Sequence, residues 1–570
     1  MLSAFPLRSC SSIGRRLHAG VAWLTFALIT ACAGGDKTAP DSGDTGGTLV
    51  VVLPEPSTLF PPQVVGTQGG AIISTLFDRL ADIGPGLSTF GDTDFAPRLA
   101  SRWSWSADSL SIAFTLDSAA RWHDGAPVRA ADVAYTFGVY TNDVVGSTVA
   151  SLLSNIDSVS VRDERTAVFW FKRRTPQQFY DATYPMYILP SHLLGGIPMD
   201  SVGRSAFARS PVGTGRFRFA RWDAGARIEI VADTANARGR AKLDRVIWSF
   251  VPDMGAATVR LFAGDADFLE AVRPENLAQL EQAPSLRMVV NPSFTYNYLA
   301  LNQRDPADST KPHPVFGDSL VRRALSMAVD RERLVRNVLD TLGVVSLGPA
   351  PRTLMPDTAA FKQLPYDPNA AKALLDSAGW RDSNNDGVRE KNGRELAFEM
   401  IAPNSSPTRS RFVVLLQEQY RTIGVKASPL LLDINTLQER LPQKRFDSYL
   451  GGNSANPGLV GIRQSWMSNG EDNDLKYRSP VFDAYADSAL STFDLAKSRV
   501  YWARAFQQAV NDAPAIWLFE QRTPAVLHRR VIIPPLRADG WYYNLADWRI
   551  DPAQRIDRDK IGLSAPGGAR

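Results

Sequence analysis

The sequence predicts a mixed α/β protein of two or three domains, and three observations support this class. The chain has 570 residues, which is more than one compact core usually holds. Apolar residues make up 44% of it and charged residues 21%, a balance typical of a globular protein. A strand, a helix and a second strand follow one another over residues 245–272, an order typical of a crossover unit in a mixed sheet.

The first residues predict an export signal. Three arginines precede the apolar run "AGVAWLTFALITA", residues 19–31, and no acidic residue occurs before its end. A basic start and a short apolar core are typical of a secretory signal peptide, and 13 residues are too few to span a bilayer. We therefore expect residues 1–31 to be a cleaved signal.

The residues that follow predict a membrane tether. "ITAC", residues 29–32, resembles the lipobox of bacterial lipoproteins, in which the cysteine is lipidated and becomes the new N-terminus. We expect lipidation of Cys32 and a flexible linker over residues 32–47, which are mostly small and polar. The protein would be exported and anchored, facing the periplasm or the cell exterior. An ordinary signal peptide with a chance cysteine is the alternative.

Charge and cysteine content further restrict the kinds of protein and partner that the sequence allows. The formal net charge of +4 falls to about +1 once the three arginines of the signal are removed, so nucleic acid is not an expected partner. The two cysteines, Cys10 and Cys32, leave no pair for an internal disulfide after processing. No later segment reaches the roughly 18 apolar residues that a transmembrane helix needs.

Strands and turns dominate the first half. "TLVVVL", residues 48–53, predicts a buried strand that Pro54 ends. The apolar stripe of "GGAIISTLFDRLADI", residues 69–83, begins as a helix. Alternating apolar residues and turn dipeptides then predict three antiparallel strand pairs, at residues 101–116, 156–171 and 215–233.

The second half is richer in helix. Asp318 is a candidate N-cap of one helix over residues 319–339, whose apolar residues share one side. In "YDPNAAKALLDSAGW", residues 366–380, an aspartate caps, a proline takes the first helical position and a glycine ends the helix. The last twenty residues, 551–570, are expected to be a frayed tail.

The sequence of one loop resembles a calcium-binding loop. In "DSNNDGVREKNG", residues 382–393, the acids, amide and glycine that a calcium loop needs at positions 1, 3, 5 and 6 are present. The last position holds Gly393 where the ion would need a glutamate. We interpret the loop as a structural turn before a hairpin.

The stretch "RWHDGAPVRAADVAYTF", residues 121–137, allows two interpretations. His123 beside Asp124 could serve acid–base chemistry or a metal. The same residues also form a turn dipeptide, Asp124-Gly125, followed by a helix with Asp132 in its first turn. We favour the turn and helix cap.

Other catalytic signals are weak. After loss of His18 the remaining histidines stand apart, and no cysteine is left to join them in a zinc site; they are His123, His192, His313 and His528. The sequence contains no G-x-S-x-G, no phosphate-binding loop and no dinucleotide fingerprint after a strand. We expect no enzyme, no resident metal and no cofactor.

Six segments of the sequence are informative when they are taken together and in order. They are "PEPSTLFPPQ" (54–63), "FAPRLASRWSWSADSLSIAFTL" (95–116), the 121–137 stretch, "PVGTGRFRF" (211–219), "NYLALN" (297–302) with "VRRALSMAVDRERLV" (321–335), and "YDPNAAKALLDSAGW" (366–380). In this order they resemble solute-binding protein family 5, the extracytoplasmic receptors of ABC importers for dipeptides, oligopeptides and nickel. The 121–137 stretch is similar to the family signature F-x-D-G-x-P-x-x-A-x-D-V, and "PVGTGRFRF" to its P-V-G-T-G element.

The resemblance implies a two-lobed α/β fold of the periplasmic-binding-protein type (class II-like), with mixed sheets, a hinge between the lobes and an extra subdomain. The expected division is a signal (1–31), a linker (32–47), a discontinuous lobe I (48–75, 210–297 and 520–550), the subdomain (76–209), lobe II (298–519) and a tail (551–570).

The resemblance also implies a function. A monomeric receptor would capture an oligopeptide or another medium-sized solute between its lobes by hinge closure, and deliver it to an ABC permease and ATPase complex. The same receptor for a sugar, a nickel chelate or haem, an exported peptidase, and a regulatory or chaperone-like lipoprotein are the alternatives.

The resemblance assigns candidate ligand contacts. Peptide-binding members hold the peptide's α-amino group with an aspartate in a segment like G-W-x-x-D-x-x-D-P. Alignment of "SYLGGNSANPGLV", residues 448–460, on Pro457 places Asn453 at that position and Asn456 at the later acid. An amide bonds an ammonium less strongly than a carboxylate does, so we expect a weaker demand for a cationic ligand end. The candidates are Asn453, Ser454, Asn456 and Trp466, with Tyr296 and Asn297 near the hinge and Thr58 from the opening loop.

Each candidate has a structural alternative. Trp466 and Tyr296 could equally be core residues, and Asn456-Pro457 could be a turn.

Overall fold

We describe the fold from a computed structural model. It describes residues 44–561, apart from residues 274, 275, 281, 292, 356–358, 360, 455, 456 and 459. The described residues belong to one compact unit. No helix within them is both long enough and apolar enough to cross a membrane.

Short strands and helices alternate along the whole chain. The strands are β1 (Thr48–Leu53), β2 (Ala81–Ile83), β3 (Phe95–Pro97), β4 (Ala100–Trp105), β5 (Ser111–Leu116), β6 (Ile156–Asp163), β7 (Thr166–Phe171), β8 (Phe217–Asp223), β9 (Arg227–Ala232), β10 (Arg245–Phe250), β11 (Phe268–Leu269), β12 (Leu286–Asn291), β13 (Thr295–Leu301), β14 (Gly343–Val345), β15 (Glu390–Lys391), β16 (Arg394–Glu395), β17 (Ala397–Pro403), β18 (Lys426–Leu432), β19 (Ser448–Ser454), β20 (Ala515–Gln521), β21 (Thr523–His528), β22 (Val531–Ile532) and β23 (Arg549–Ile550).

The helices are fewer in the first half than in the second. They are α1 (Gly66–Leu76), α2 (Ala130–Tyr140), α3 (Gln178–Thr183), α4 (Ser191–Leu194), α5 (Met254–Phe262), α6 (Leu277–Leu280), α7 (Ser319–Met327), α8 (Arg331–Leu339), α9 (Pro368–Ser377), α10 (Pro407–Arg421), α11 (Ile434–Arg440), α12 (Val460–Trp466), α13 (Pro480–Ser491) and α14 (Leu495–Asp512).

The first large sheet, sheet A, has seven strands in the order β12-β21-β11-β1-β10-β9-β8. β1 lies parallel to both of its neighbours, β10 and β11, and is buried along its whole length. Its alternate side chains enter different cores: Leu49 and Val51 one, Val50 and Val52 the other. A continuous apolar strand is therefore explained by cover on both faces.

The second large sheet, sheet B, has six strands in the order β14-β20-β13-β19-β17-β18. Its central strand β13 pairs antiparallel with β19 and β20. Leu299 and Leu301 of β13 point into one core, whereas Tyr296 and Tyr298 point into another that is rich in aromatic residues. Sheet B is thus also covered on both faces.

A smaller antiparallel sheet, sheet C, has the order β4-β5-β7-β6 and is built from two of the predicted strand pairs. Helix α2 packs against β6 and β7. The rings of Phe114 and Phe169 meet edge to face inside it, with centroids 5.4 Å apart.

The chain passes between sheets A and B in two short crossings. One joins the end of β12 at Asn291 to the start of β13 at Thr295, and the other joins β20 to β21 through Arg522. From the sequence we place the lobe changes after residue 297 and after residue 519. The crossings lie a few residues from those positions, because β13 and β20 each pair over their full length within sheet B. The lobe boundaries themselves stay a prediction.

The frayed tail is wrong for residues 551–561. The Asp559 carboxylate is buried, accepts the Thr48 N–H at 2.8 Å and pairs with Arg530. Arg530 also binds both oxygens of Asp267, at 2.9 Å each. This fully buried network fastens the C-terminal segment to the first strand. Residues 562–570 lie outside the described residues.

The expected linker is also shorter than 32–47. Asp44 pairs with Lys242 and Arg549, and the Gly46 N–H donates to the Lys242 carbonyl at 2.7 Å. Residues 44–47 therefore pack onto the folded unit. The signal, Cys32 and the rest of the linker lie outside the described residues.

The single helix expected over residues 319–339 is two helices, α7 and α8. Asp330 interrupts it because its side chain caps α8 by accepting the Arg333 N–H at 3.0 Å. Its own N–H is taken by Gln419 Oε1 at 2.8 Å. The apolar periodicity continues across the break, which is why the sequence conceals it.

Candidate ligand-binding site

Four of the predicted site residues lie at one end of sheet B. Tyr296 faces Asn453 across the β13–β19 ladder, and Thr295 faces Ser454. Asn297 follows Tyr296 on the same strand. This end of the sheet is also where the chain crosses to sheet A, so these side chains lie beside the crossings.

A third strand, β20, places another polar residue beside Tyr296. Tyr296 pairs with Glu520 of β20 on its other side. Directly paired residues project from the same face of a sheet, at a strand spacing of about 5 Å. Asn453, Tyr296 and Glu520 therefore form one row of polar side chains across three strands, which we call the polar row.

A buried tryptophan, Trp466, supports the tyrosine of the polar row from the core side of the sheet. Trp466 Nε1 donates to Tyr296 Oη at 2.9 Å, and both side chains are buried. Trp466 packs edge to face on Trp517, with ring centroids 4.7 Å apart. Burial raises the pKa of Tyr296 far above its usual range, against the opposing effect of hydrogen bonds from Trp466 and Asn453. Trp466 supports the wall of the site from the aromatic core.

Asn453 is oriented by its neighbours. Its Nδ2 donates to Ser465 Oγ at 2.8 Å. Ser454 is exposed at the end of β19. Asn456 lies outside the described residues, so its predicted role stays a prediction.

Asn297 faces the opposite side of the sheet and contacts a cation that the sequence does not single out. Its Oδ1 accepts from Arg409 Nη2 at 3.3 Å. Burial lowers the pKa of Arg409, which has no carboxylate within 4.0 Å among the described residues. Gly452 permits this contact, since a Cβ there would come within 2.5 Å of Asn297 Oδ1.

Glu520 is the second site residue that sequence reasoning misses. It is buried, and its Oε2 accepts the Arg352 N–H at 3.0 Å. Its Oε1 lies 3.8 Å from Arg352 Nε and makes no hydrogen bond to any residue that the structure describes. Burial raises the pKa of Glu520 to about 7, although the N–H and charge of Arg352 oppose the rise. In the sequence it appears as an ordinary acid at the end of an apolar strand.

Thr58 is not joined to these residues by any hydrogen bond within the described chain. It is half-buried after β1, and its Oγ1 accepts the Phe60 N–H at 3.0 Å, which shapes the loop. Its predicted ligand contact stays a prediction.

A recess of about 820 Å³, including its mouth, separates the sheet C region from the sheet B region. Residues 86–90 form one wall, and residues 353–355 with the facing sides of α13 and α14 form the other. The two regions touch beside it. The Arg174 guanidinium lies 4.8 Å from the centre of the Phe493 ring, and Gly458 lies so close to Tyr180 that a Cβ would come within 2.7 Å of its ring.

The turn and cap interpretation of residues 121–137 is confirmed. His123 Nδ1 accepts the Gly213 N–H at 3.1 Å, which leaves Nε2 to donate to the Gly215 carbonyl at 2.9 Å. Burial lowers the pKa of His123, and the acceptor role of Nδ1 fits the neutral form of the ring. Asp132 caps α2 by accepting the Arg129 N–H at 2.9 Å. Both histidine nitrogens are occupied by backbone, which leaves none for catalysis.

The calcium-like loop is a turn. Asp382 Oδ2 accepts the Gly387 N–H at 3.0 Å, and Asn384 and Asp386 accept further N–H groups of the loop. The hairpin β15–β16 follows at once. In the part of the chain that the structure describes, no three His, Cys, Asp or Glu residues are grouped closely enough to hold a metal ion.

Comparison with known proteins agrees with this architecture. A family model described as "Bacterial extracellular solute-binding proteins, family 5 Middle" matches residues 94–473, more than half of the chain. Oligopeptide-binding protein AppA of Bacillus subtilis is 28% identical over 406 residues, covering 70% of this chain and 73% of that protein.

Two solved structures share the fold. AppA of Bacillus subtilis in complex with a nonapeptide superposes with a TM-score of 0.72 at 24% identity, covering 89% of this chain and 99% of that one. NikZ of Campylobacter jejuni in complex with Ni(L-His) gives 0.73 at 25% identity, covering 88% and 99%. The two-lobed α/β fold expected from the sequence is confirmed.

Proposed function

The chain belongs to the bacterial extracellular solute-binding proteins of family 5, and from that premise we propose that it captures an oligopeptide or peptide-like solute between its lobes and delivers it to an ABC permease and ATPase complex. The observation that carries the proposal is the polar row at the end of sheet B, beside both crossings to sheet A. Two short crossings permit a rigid-body hinge. The recess between the sheet B and sheet C regions is lined by other residues, among them Thr353 and Pro457, and offers a solute further enclosure.

The polar row suits a ligand of mixed polarity. Asn453 supplies an amide donor and acceptor, and Glu520 adds a carboxyl group two strands away. The aromatic core behind Tyr296 keeps these groups in fixed positions, which lowers the entropic cost of binding. A peptide offers main-chain N–H and C=O groups to such a row.

The peptide assignment is supported by the name of the Bacillus subtilis relative and by the nonapeptide in its structure. The Campylobacter jejuni structure contains Ni(L-His), so a small metal chelate is the other ligand class to be screened. A hydrolytic role has no support from His123, whose two nitrogens bind backbone.

We also propose that the receptor is exported, lipidated at Cys32 and tethered as a monomer to the membrane. The support is the basic and apolar signal that ends in "ITAC". The Cys32→Ser variant should no longer incorporate labelled palmitate. Undiminished incorporation by this variant would overturn the assignment.

The functional test is native mass spectrometry of the chain from residue 33, as purified and after mixing with a library of three- to six-residue peptides. Retained, intact peptides are the expected result. Protein that neither retains nor cleaves any peptide would remove the peptide assignment, and cleaved peptides would instead establish a peptidase.

A pair of glycine variants tests closure in the same experiment. Gly458→Leu places a side chain against Tyr180 where the sheet B and sheet C regions meet, and should reduce peptide retention. Gly196→Leu is the matched control, because a Cβ there meets nothing within 4 Å. Equal retention by both variants would show that this contact is not part of closure.

A further inference from the structure

A second recess lies between the sheet A and sheet C regions, and no residue of sheet B lines it. Its volume is about 570 Å³, including its mouth. Four arginines line it, and three of them are paired with a carboxylate: Arg98 with Asp82, Arg216 with Asp547 and Arg238 with Asp78.

The fourth arginine, Arg79, has no such partner. It is 6% exposed, and no carboxylate of the described chain lies within 4.0 Å of it. Its guanidinium carbon lies 4.2 Å from the ring centre of Tyr184, 4.4 Å from that of Tyr187 and 5.3 Å from that of Tyr543.

Within the described chain, not all N–H groups of this guanidinium have hydrogen-bond acceptors. Its side chain makes one hydrogen bond within the described chain, from Nη2 to Tyr543 Oη at 3.2 Å. Its Nε is buried and finds no acceptor among the described residues. Aromatic faces attract a cation but offer no oxygen to its five N–H groups. The charge of Asp82 acts on Arg79 from beyond 4.0 Å, but its carboxylate pairs with Arg98, so the buried guanidinium of Arg79 lacks a directly bonded anion within the described chain.

The charges that line the recess indicate which kind of ligand would pair with Arg79. Four arginines and three aspartates line the recess, so one positive charge remains, and within the described chain Arg79 is the arginine without a directly bonded carboxylate. A single negative charge balances it, as a carboxylate provides, whereas phosphate carries more. The flanking rings of Tyr187, Tyr542 and Tyr543 suit a small organic body.

We propose that the Arg79 recess is a second binding site, distinct from the cleft beside sheet B, for a small organic monocarboxylate. The carboxylate accepts N–H donation from Arg79, and the tyrosine rings pack against the rest of the molecule. Arg–carboxylate pairs are strong because both partners are charged and their geometry is complementary.

The test is a titration of the chain from residue 33 with sodium propionate, followed by saturation-transfer NMR at constant ionic strength. Propionamide, which has the same shape without the charge, and inorganic phosphate are titrated in parallel. Propionate should bind at least tenfold more tightly than either. Equal binding of propionamide, tighter binding of phosphate, or no binding of propionate would overturn the proposal.

Variants test whether the bound propionate contacts Arg79. Arg79→Gln should weaken propionate binding at least tenfold, whereas Arg209→Gln should leave it unchanged, since Arg209 also covers an aromatic ring but lies outside the recess. Arg79→Lys keeps the charge if Arg79→Gln fails to fold, and should retain weakened binding. Undiminished binding in either Arg79 variant would contradict the assignment. Because neither peptide nor sheet B is involved, failure here leaves the receptor proposal untouched.

Discussion

Replacing Glu520 by glutamine should change how the stability of the protein depends on pH. Burial raises the pKa of Glu520 from 4.5 to about 7. The folded state therefore holds a proton more tightly than the unfolded state, in which the pKa is about 4.3. The resulting stability is fully present below about pH 4.3 and is lost as the pH rises through about 7.

The size of the effect follows from the pKa. A rise from 4.5 to about 7 corresponds to about 3 kcal/mol, at about 1.4 kcal/mol per unit. The side chain is 8% exposed, so solvent screens it little. Glu520→Gln stays neutral and keeps an acceptor for the Arg352 N–H. At pH 8 it should be more stable than the wild type by up to about 3 kcal/mol, and at pH 4 the two should be equal.

The assay is urea unfolding at one-unit steps from pH 4 to pH 8. Glu399→Gln, at an exposed position of β17, is the control and should follow the wild type. Asp181, whose pKa burial raises to about 8, gives a slope of the same sign that persists in Glu520→Gln. Parallel curves for wild type and Glu520→Gln would refute the reasoning that burial raises the pKa of Glu520 in the folded protein.

Three further substitutions test the structure. Asn453→Asp should tighten binding of free-amine peptides by about tenfold, measured by calorimetry, because a carboxylate bonds an ammonium more strongly; unchanged affinity would place the residue outside the site. Trp466→Phe removes the hydrogen bond to Tyr296 and should cost about 1–2 kcal/mol in urea unfolding, so an unaltered midpoint would contradict its supporting role. His123→Leu loses two backbone hydrogen bonds, one of them to Gly213, and should lower stability by about 2–3 kcal/mol without altering the fate of added peptides.

Local patterns predicted much of the fold. β1, the strand pairs of sheet C and the capped helix α9 follow from alternation, turn dipeptides and N-cap residues, which act over a few neighbouring positions. Asp132 could likewise be predicted as a cap. The break at Asp330 could not, because the capping bond and the contact with Gln419 compete with an unbroken apolar pattern.

The site was harder to predict, because it depends on pairing between distant segments. Asn453, Tyr296 and Glu520 are far apart in sequence and become neighbours through the registers of β19, β13 and β20. Nothing near Glu520 marks it, since its burial comes from packing. Arg79 is similarly concealed: the three tyrosines around it come from two distant parts of the chain.

Closure on a solute is the central claim, and a distance between the two sides of the recess tests it most directly. The chain from residue 33 contains no cysteine, so Val161→Cys in sheet C and Val500→Cys in α14 can carry a clean pair of spin labels at exposed positions. Double electron–electron resonance should show a shorter and narrower distance distribution when the three- to six-residue peptide library is added. A distribution that does not change while peptides are retained would contradict capture by hinge closure.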